Sequence, residues 1–137
     1  ASDEQMEQNK AFALIENKFD GKHHKLYKKG LKQDENGAYI ELSFISPEIG
    51  IRYNDTISEL ISKTGWNIKI NPNPNQNEII KYAKRLLQDR NIYTKKNPSI
   101  YQNIKSVKIV PVQQPEDNIL NEIKSKFKED TGYELIF

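Results

Sequence analysis

The chain has 137 residues, with 21 Lys and Arg against 19 Asp and Glu, and its net charge is only +2. That length suits a single domain of ordinary size, able to bury about two-thirds of its unfolded surface without covalent staples. The absence of cysteine excludes a disulfide framework, a thiolate zinc site and a cysteine nucleophile, and no apolar run approaches the roughly 20 residues that span a bilayer.

Residues 4–19 carry Ala11, Leu14, Ile15 and Phe19 at helical spacing, and Asp20-Gly21 ends that helix. A lysine-rich strand is expected over 24–32. Asp34-Glu35-Asn36-Gly37 is a turn signal, since Asn-Gly tolerates the positive φ of a tight hairpin. Tyr39 to Ile45 then alternates cleanly, with Ile40, Leu42 and Phe44 on one face, and predicts a half-buried strand. Ser46-Pro47-Glu48 breaks it. Asn54 or Asp55 is placed to cap a short helix reaching Lys63, with Tyr53, Ile57, Leu60 and Ile61 inward. Thr64-Gly65 stops that helix, and Trp66, Ile68 and Ile70 alternate as the next strand.

Asn71-Pro72-Asn73-Pro74-Asn75 cannot be regular structure. Asn75 with Glu78 resembles a capping box opening a helix to about Arg90, buried through Ile79, Ile80, Ala83, Leu86 and Leu87. A long polar loop follows over 91–104, ordered by Ile92, Tyr93, Ile100 and Tyr101. A strand over 107–112, a helix over 115–130, a Thr131-Gly132 stop and a strand over 133–137 complete the chain. Thr64-Gly65-Trp66 and Thr131-Gly132-Tyr133 match at an offset of 67, so strand–helix–strand units are expected at about 38–70 and 105–137. The order α-β-β-α-β-α-β-α-β predicts an α+β fold, with a single mixed sheet and helices mainly on one face. The ends, Ala1 rather than methionine and Phe137 inside an apolar run, are those expected of a domain from a larger, cytoplasmic rather than secreted, protein.

No chemistry announces itself. His23 and His24, on a strand, would point to opposite faces and be poorly placed to grip one metal. Asp55 and Glu59 share a helix face, but Asp55 suits the helix dipole as it stands. Glu122-Ile123-Lys124 has the spacing of a nuclease acidic–x–lysine element yet falls inside a helix. No phosphate loop or nucleophile elbow is visible, and neither a catalytic residue, a metal nor a cofactor is assigned. A hydrolase or nuclease would need several acidic or histidine side chains converging in a cleft.

Charge distribution is the positive signal. Residues 18–32 carry +5 and residues 81–108 carry +7, offset by acidic blocks elsewhere. Lys81, Lys84, Arg85, Arg90, Lys95 and Lys96 form the second basic block, continued by Lys105 and Lys108, with Tyr82, Tyr93 and Tyr101 interleaved. Lys25, Lys28 and Lys29 would extend it if the first hairpin lies alongside. Cations on phosphates beside aromatics on bases are the usual pairing in single-strand recognition. The helix, Thr-Gly, strand joint at 64–66 is similar to that of RNA-binding KH folds. The glycine–x–x–glycine loop of that family is absent, so the likeness carries over no residue. The reading is a non-catalytic domain binding RNA or single-stranded DNA. Its rival is a protein-interaction module, with a homo-oligomer formed through the edge strand at Phe137; no membrane is expected as partner.

Overall fold

The computed structural model describes residues 5–137, and the chain divides into two compact units, residues 1–74 and 75–137. The fold is α+β, but the expected single sheet is two separate three-stranded mixed sheets, one in each unit. The 67-residue match lies between the units, so each builds its own sheet.

In the first unit, α1 (Gln8–Phe19) buries Ala11, Ile15 and Phe19; the Glu4 start expected for it lies outside the described residues. β1 (Lys28–Asp34) begins later than expected, after an irregular segment, and pairs antiparallel with β2 (Gly37–Ser43). In the turn it is Gly37, at φ 114°, that takes the positive φ, and the Asn36 amide donates to Asp34 Oδ1 at 2.9 Å. Ser46-Pro47 does more than end the strand. Ser46 Oγ accepts from the Ile49 amide at 3.2 Å and caps an unexpected short helix, α2 (Pro47–Ile51), with proline in its first turn. α3 (Asn54–Thr64) starts from Tyr53 without the side-chain cap expected of Asn54 or Asp55. β3 (Ile68–Ile70) then pairs parallel with β2 through Ile40↔Ile68 and Leu42↔Ile70. Trp66 packs the joint as a buried residue, and its indole N–H donates to the Met6 carbonyl at 2.7 Å. Phe19, Phe44 and Tyr53 form a ring cluster with centroids 5.5–5.7 Å apart.

In the second unit, Asn75 Oδ1 accepts from the Glu78 amide at 3.2 Å and starts α4 (Gln76–Asp89), which buries Ile79, Ala83, Leu86 and Leu87. The expected loop is instead organised. Thr94 bridges Pro111, β4 (Ser99–Tyr101) follows, and a 3₁₀ turn covers Gln102–Ile104. β4 pairs antiparallel with β5 (Ser106–Lys108). α5 (Asp117–Thr131) buries Leu120, Ile123, Phe127 and Thr131, and β6 (Glu134–Ile136) pairs parallel with β5 through Val107↔Leu135.

The Thr-Gly joint has the same chemistry twice. Thr64 Oγ1 donates to the Leu60 carbonyl at 2.7 Å and accepts from the Trp66 amide at 3.1 Å; Gly65 sits at φ 75°. Thr131 Oγ1 donates to the Phe127 carbonyl at 2.8 Å and accepts from the Tyr133 amide at 3.1 Å; Gly132 sits at φ 78°. The left-handed residue lets the chain reverse off the helix, and the threonine supplies the turn bond that glycine cannot.

Candidate nucleic-acid interface

The two basic blocks belong to different units. In the second, α4 turns Ile79, Ala83, Leu86 and Leu87 inward, and the 3.6-residue period carries Lys81, Lys84 and Arg85 to the opposite, exposed side. Lys81 Nζ lies 3.4 Å from Glu78, an exposed i,i+3 pair that a phosphate can displace at little cost. Arg90 at the helix end pairs with Glu122 on α5, which also accounts for the Glu122-Ile123-Lys124 spacing: Glu122 is an ion-pair partner and Ile123 a core residue.

The three tyrosines separate into different roles. The Tyr82 ring stacks on Phe127 at 6.2 Å, the Arg85 guanidinium lies 5.4 Å from its centroid, and its hydroxyl donates to the Asp130 carboxylate. Partial burial, with that carboxylate beside it, pushes the phenol pKa upward. Tyr82 is therefore a packing residue. Tyr93 and Tyr101 are exposed, at 74% and 43%.

Tyr93 and Tyr101 belong to one ribbon. The Lys95 amide donates to the Val110 carbonyl at 2.8 Å and the Val112 amide to the Tyr93 carbonyl at 2.9 Å, continuing beyond β4 and β5 the same antiparallel direction. Three residues, Lys96-Asn97-Pro98, stand against Ile109 alone between the two paired stretches, so the strand bulges there and lifts Lys96 outward. Val107 and Ile109 face inward and are buried, while Lys108 and Val112 alternate outward and are exposed. By the pairing register, Tyr93, Lys95, Tyr101, Lys108 and Val112 share the outer face. The sequence reading missed Val112; the alternation through 107–112 was the signal that could have found it.

In the first unit, Lys25 precedes β1, and Lys28 and Lys29 open it. They line a cleft of about 570 Å³ together with Lys22, His23 and Glu16. Its charge is partly spent: Lys29 Nζ lies 3.3 Å from Glu16, and Lys25 Nζ sits 4.8 Å over the Tyr27 ring. His23 and His24 lie in the segment before β1, not on a strand, and their rings meet edge to face at 4.6 Å. His24 is buried with Nδ1 2.7 Å from the Tyr53 hydroxyl. Glu59 is bracketed by Lys18 and Lys63, each 3.1 Å away, which hold its pKa below the usual carboxylate value. Asp55 stands exposed in the first turn of α3.

No protein-family model matches this chain, and no curated protein matches it in sequence. Among the described residues, no helix is long and apolar enough to cross a membrane.

Proposed function

We propose that the chain is a nucleic-acid-binding domain whose contact surface is the basic, tyrosine-bearing exterior of the 75–137 unit. The observation that carries the reading is exposure: Lys81, Lys84 and Arg85 on the outer side of α4, and Lys95 and Lys96 on the ribbon, all face solvent. A helix needs a polar side in any case, but here the exposed cations continue off the helix onto a second element. Lysine and arginine on phosphates release condensed counterions, so affinity falls steeply with salt.

Titration of labelled single- and double-stranded oligonucleotides by fluorescence anisotropy, at two salt concentrations, tests this. Binding that collapses at the higher salt is expected. The combined Lys84→Ala, Arg85→Ala, Lys95→Ala and Lys96→Ala variant should lose most of it while melting like the wild type, because all four side chains are exposed. Undiminished binding by that variant would place the interface elsewhere.

A protein-interaction role is the second reading. It is favoured by β6, whose outer edge has no strand partner in its sheet and whose Ile136 is 36% exposed.

A further inference from the structure

The nucleic-acid reading leaves open what the exposed tyrosines do, and the ribbon register answers it. Tyr93 stands opposite Val112, Lys95 opposite Val110, and Tyr101 opposite Ser106, so the register puts them on the face away from Val107 and Ile109, where Ser106 itself is buried beneath its neighbours. Down that face run Tyr93, Lys95, Lys108 and Tyr101, an aromatic at each end with two cations between. Six residues separate Ser106 from Val112, so at about 3.3 Å per residue the tyrosines stand roughly 20 Å apart. Val112, 60% exposed, adds apolar surface beside Tyr93, and Ile104, 55% exposed, lies in the turn after Tyr101.

Exposed aromatics on a face that also carries Lys95 and Lys108, with Glu134 and Ile136 on the neighbouring strand, hold water at an apolar surface and gain little from the fold. A duplex cannot cover them, because its bases are stacked inward. An unpaired strand offers a base face to each ring and phosphates to the lysines between. We infer that the outer face of the 93–112 ribbon is a two-platform site for an unpaired nucleic-acid strand, with Tyr93 and Tyr101 stacking bases and Lys95 and Lys108 meeting the intervening phosphates. This rests on the nucleic-acid reading above and adds strandedness and a minimum length. A trinucleotide reaches one platform. At the stacked rise of about 3.4 Å, roughly six nucleotides cover both, after which the second contact is intramolecular and affinity climbs steeply.

The test is a length series of labelled oligothymidylates and oligouridylates (trinucleotide, hexanucleotide, dodecanucleotide) and a dodecamer duplex, measured at low salt. A sharp rise in affinity near six nucleotides is expected, with the duplex weaker than the single strand. Tyr93→Ala and Tyr101→Ala should each weaken dodecanucleotide binding about fivefold to a hundredfold, and Tyr93→Phe should restore it, since the ring and not the hydroxyl stacks. Circular dichroism melts of the variants confirm that the fold persists. If the duplex binds as tightly and the alanine variants match the wild type, the platforms are wrong while the basic surface stands. Should no oligonucleotide bind at all, both readings fall. A dimer seen by sedimentation and dissolved by Val112→Ser would assign the face to a second copy of the chain, and would overturn the inference.

Discussion

The two units repeat one plan under different surfaces. Each runs helix, two antiparallel strands, a helical connection (α2 and α3 in the first unit, α5 alone in the second), and a third strand parallel to the second. Ala11, Ile15 and Phe19 of α1 are buried at the spacing of Ile79, Ala83 and Leu87 of α4, and Ile40 and Ile68 pair as Val107 and Leu135 do. The outer faces share no such correspondence. On the first sheet Lys69 Nζ reaches Asp34 at 2.6 Å and lies 4.5 Å over the Tyr39 ring, and Asn71 donates to Ser43 at 3.0 Å. The positions matching Glu41 and Lys69 on the second sheet are Lys108 and Ile136, both exposed. One face closes on itself; the other presents cations and apolar groups outward. Burial constrains the inner face of a half-covered sheet, whereas the outer face is free to specialise, and that is where a binding site can differ between copies of one scaffold.

The comparison breaks most visibly in the core. Leu60 and Phe127 are fully buried and occupy the same slot, each carbonyl accepting from the threonine that ends its helix. Leu60→Ala is expected to cost about 2–5 kcal/mol and Phe127→Ala about 3–5 kcal/mol in denaturant unfolding. A Phe127→Ala variant within 1 kcal/mol of wild type, well below that range, would deny the equivalence.

The glycines sharpen it. Gly65→Ala and Gly132→Ala each force a side chain into the left-handed region, costing about 1–2 kcal/mol, and the two costs should agree. Gly50→Ala should hurt for another reason, because a Cβ there would lie 2.8 Å from Ile70 and 2.9 Å from Phe44. Overpacking of this kind costs about 1–3 kcal/mol. The matching position in the second unit is Asp117, an exposed first-turn residue that carries no such constraint.

How far the fold was legible follows from which signals are local. The stripe of α4, the alternation of Tyr39 to Ser43 and both Thr-Gly stops rest on residues within one turn or strand, and the structure has each of them. What was missed depends on partners distant in sequence. Residues 99–101 are a strand because Val107 lies opposite Ile100, which no window around Ile100 contains. One sheet became two because strand pairing, not strand existence, decides the count. The α2 helix was hidden by reading Ser46-Pro47 as a stop, although serine before proline is also a helix start. At the candidate site, composition pointed to the cations, but only register and burial divide Tyr82 from Tyr93 and Tyr101.

The smallest expected effects distinguish the units by pH. In the first, hydrogen bonding and charge from Lys69 hold Asp34 below its ordinary 3.8, and Lys63 and Lys18 hold Glu59 below 4.5. A lowered folded pKa stabilises fully above the unfolded value and is lost as pH falls through the folded one. Both carboxylates are exposed, so the acid limb should be shallow and should flatten in high salt. Trp66, the one tryptophan and buried in this unit, reports it by fluorescence. In the second unit the sign reverses. Tyr82 is raised above its ordinary 10.0 by partial burial and then by the Asp130 carboxylate, so its contribution is complete below pH 10.0 and fades as pH climbs toward the folded value. Tyr82→Phe should remove this alkaline limb at a cost of about 1 kcal/mol at neutral pH for the lost hydrogen bond, and leave the acid limb seen by Trp66 unchanged. An acid limb that shifts with Tyr82→Phe would mean that the titrating group responsible for it has been placed in the wrong unit.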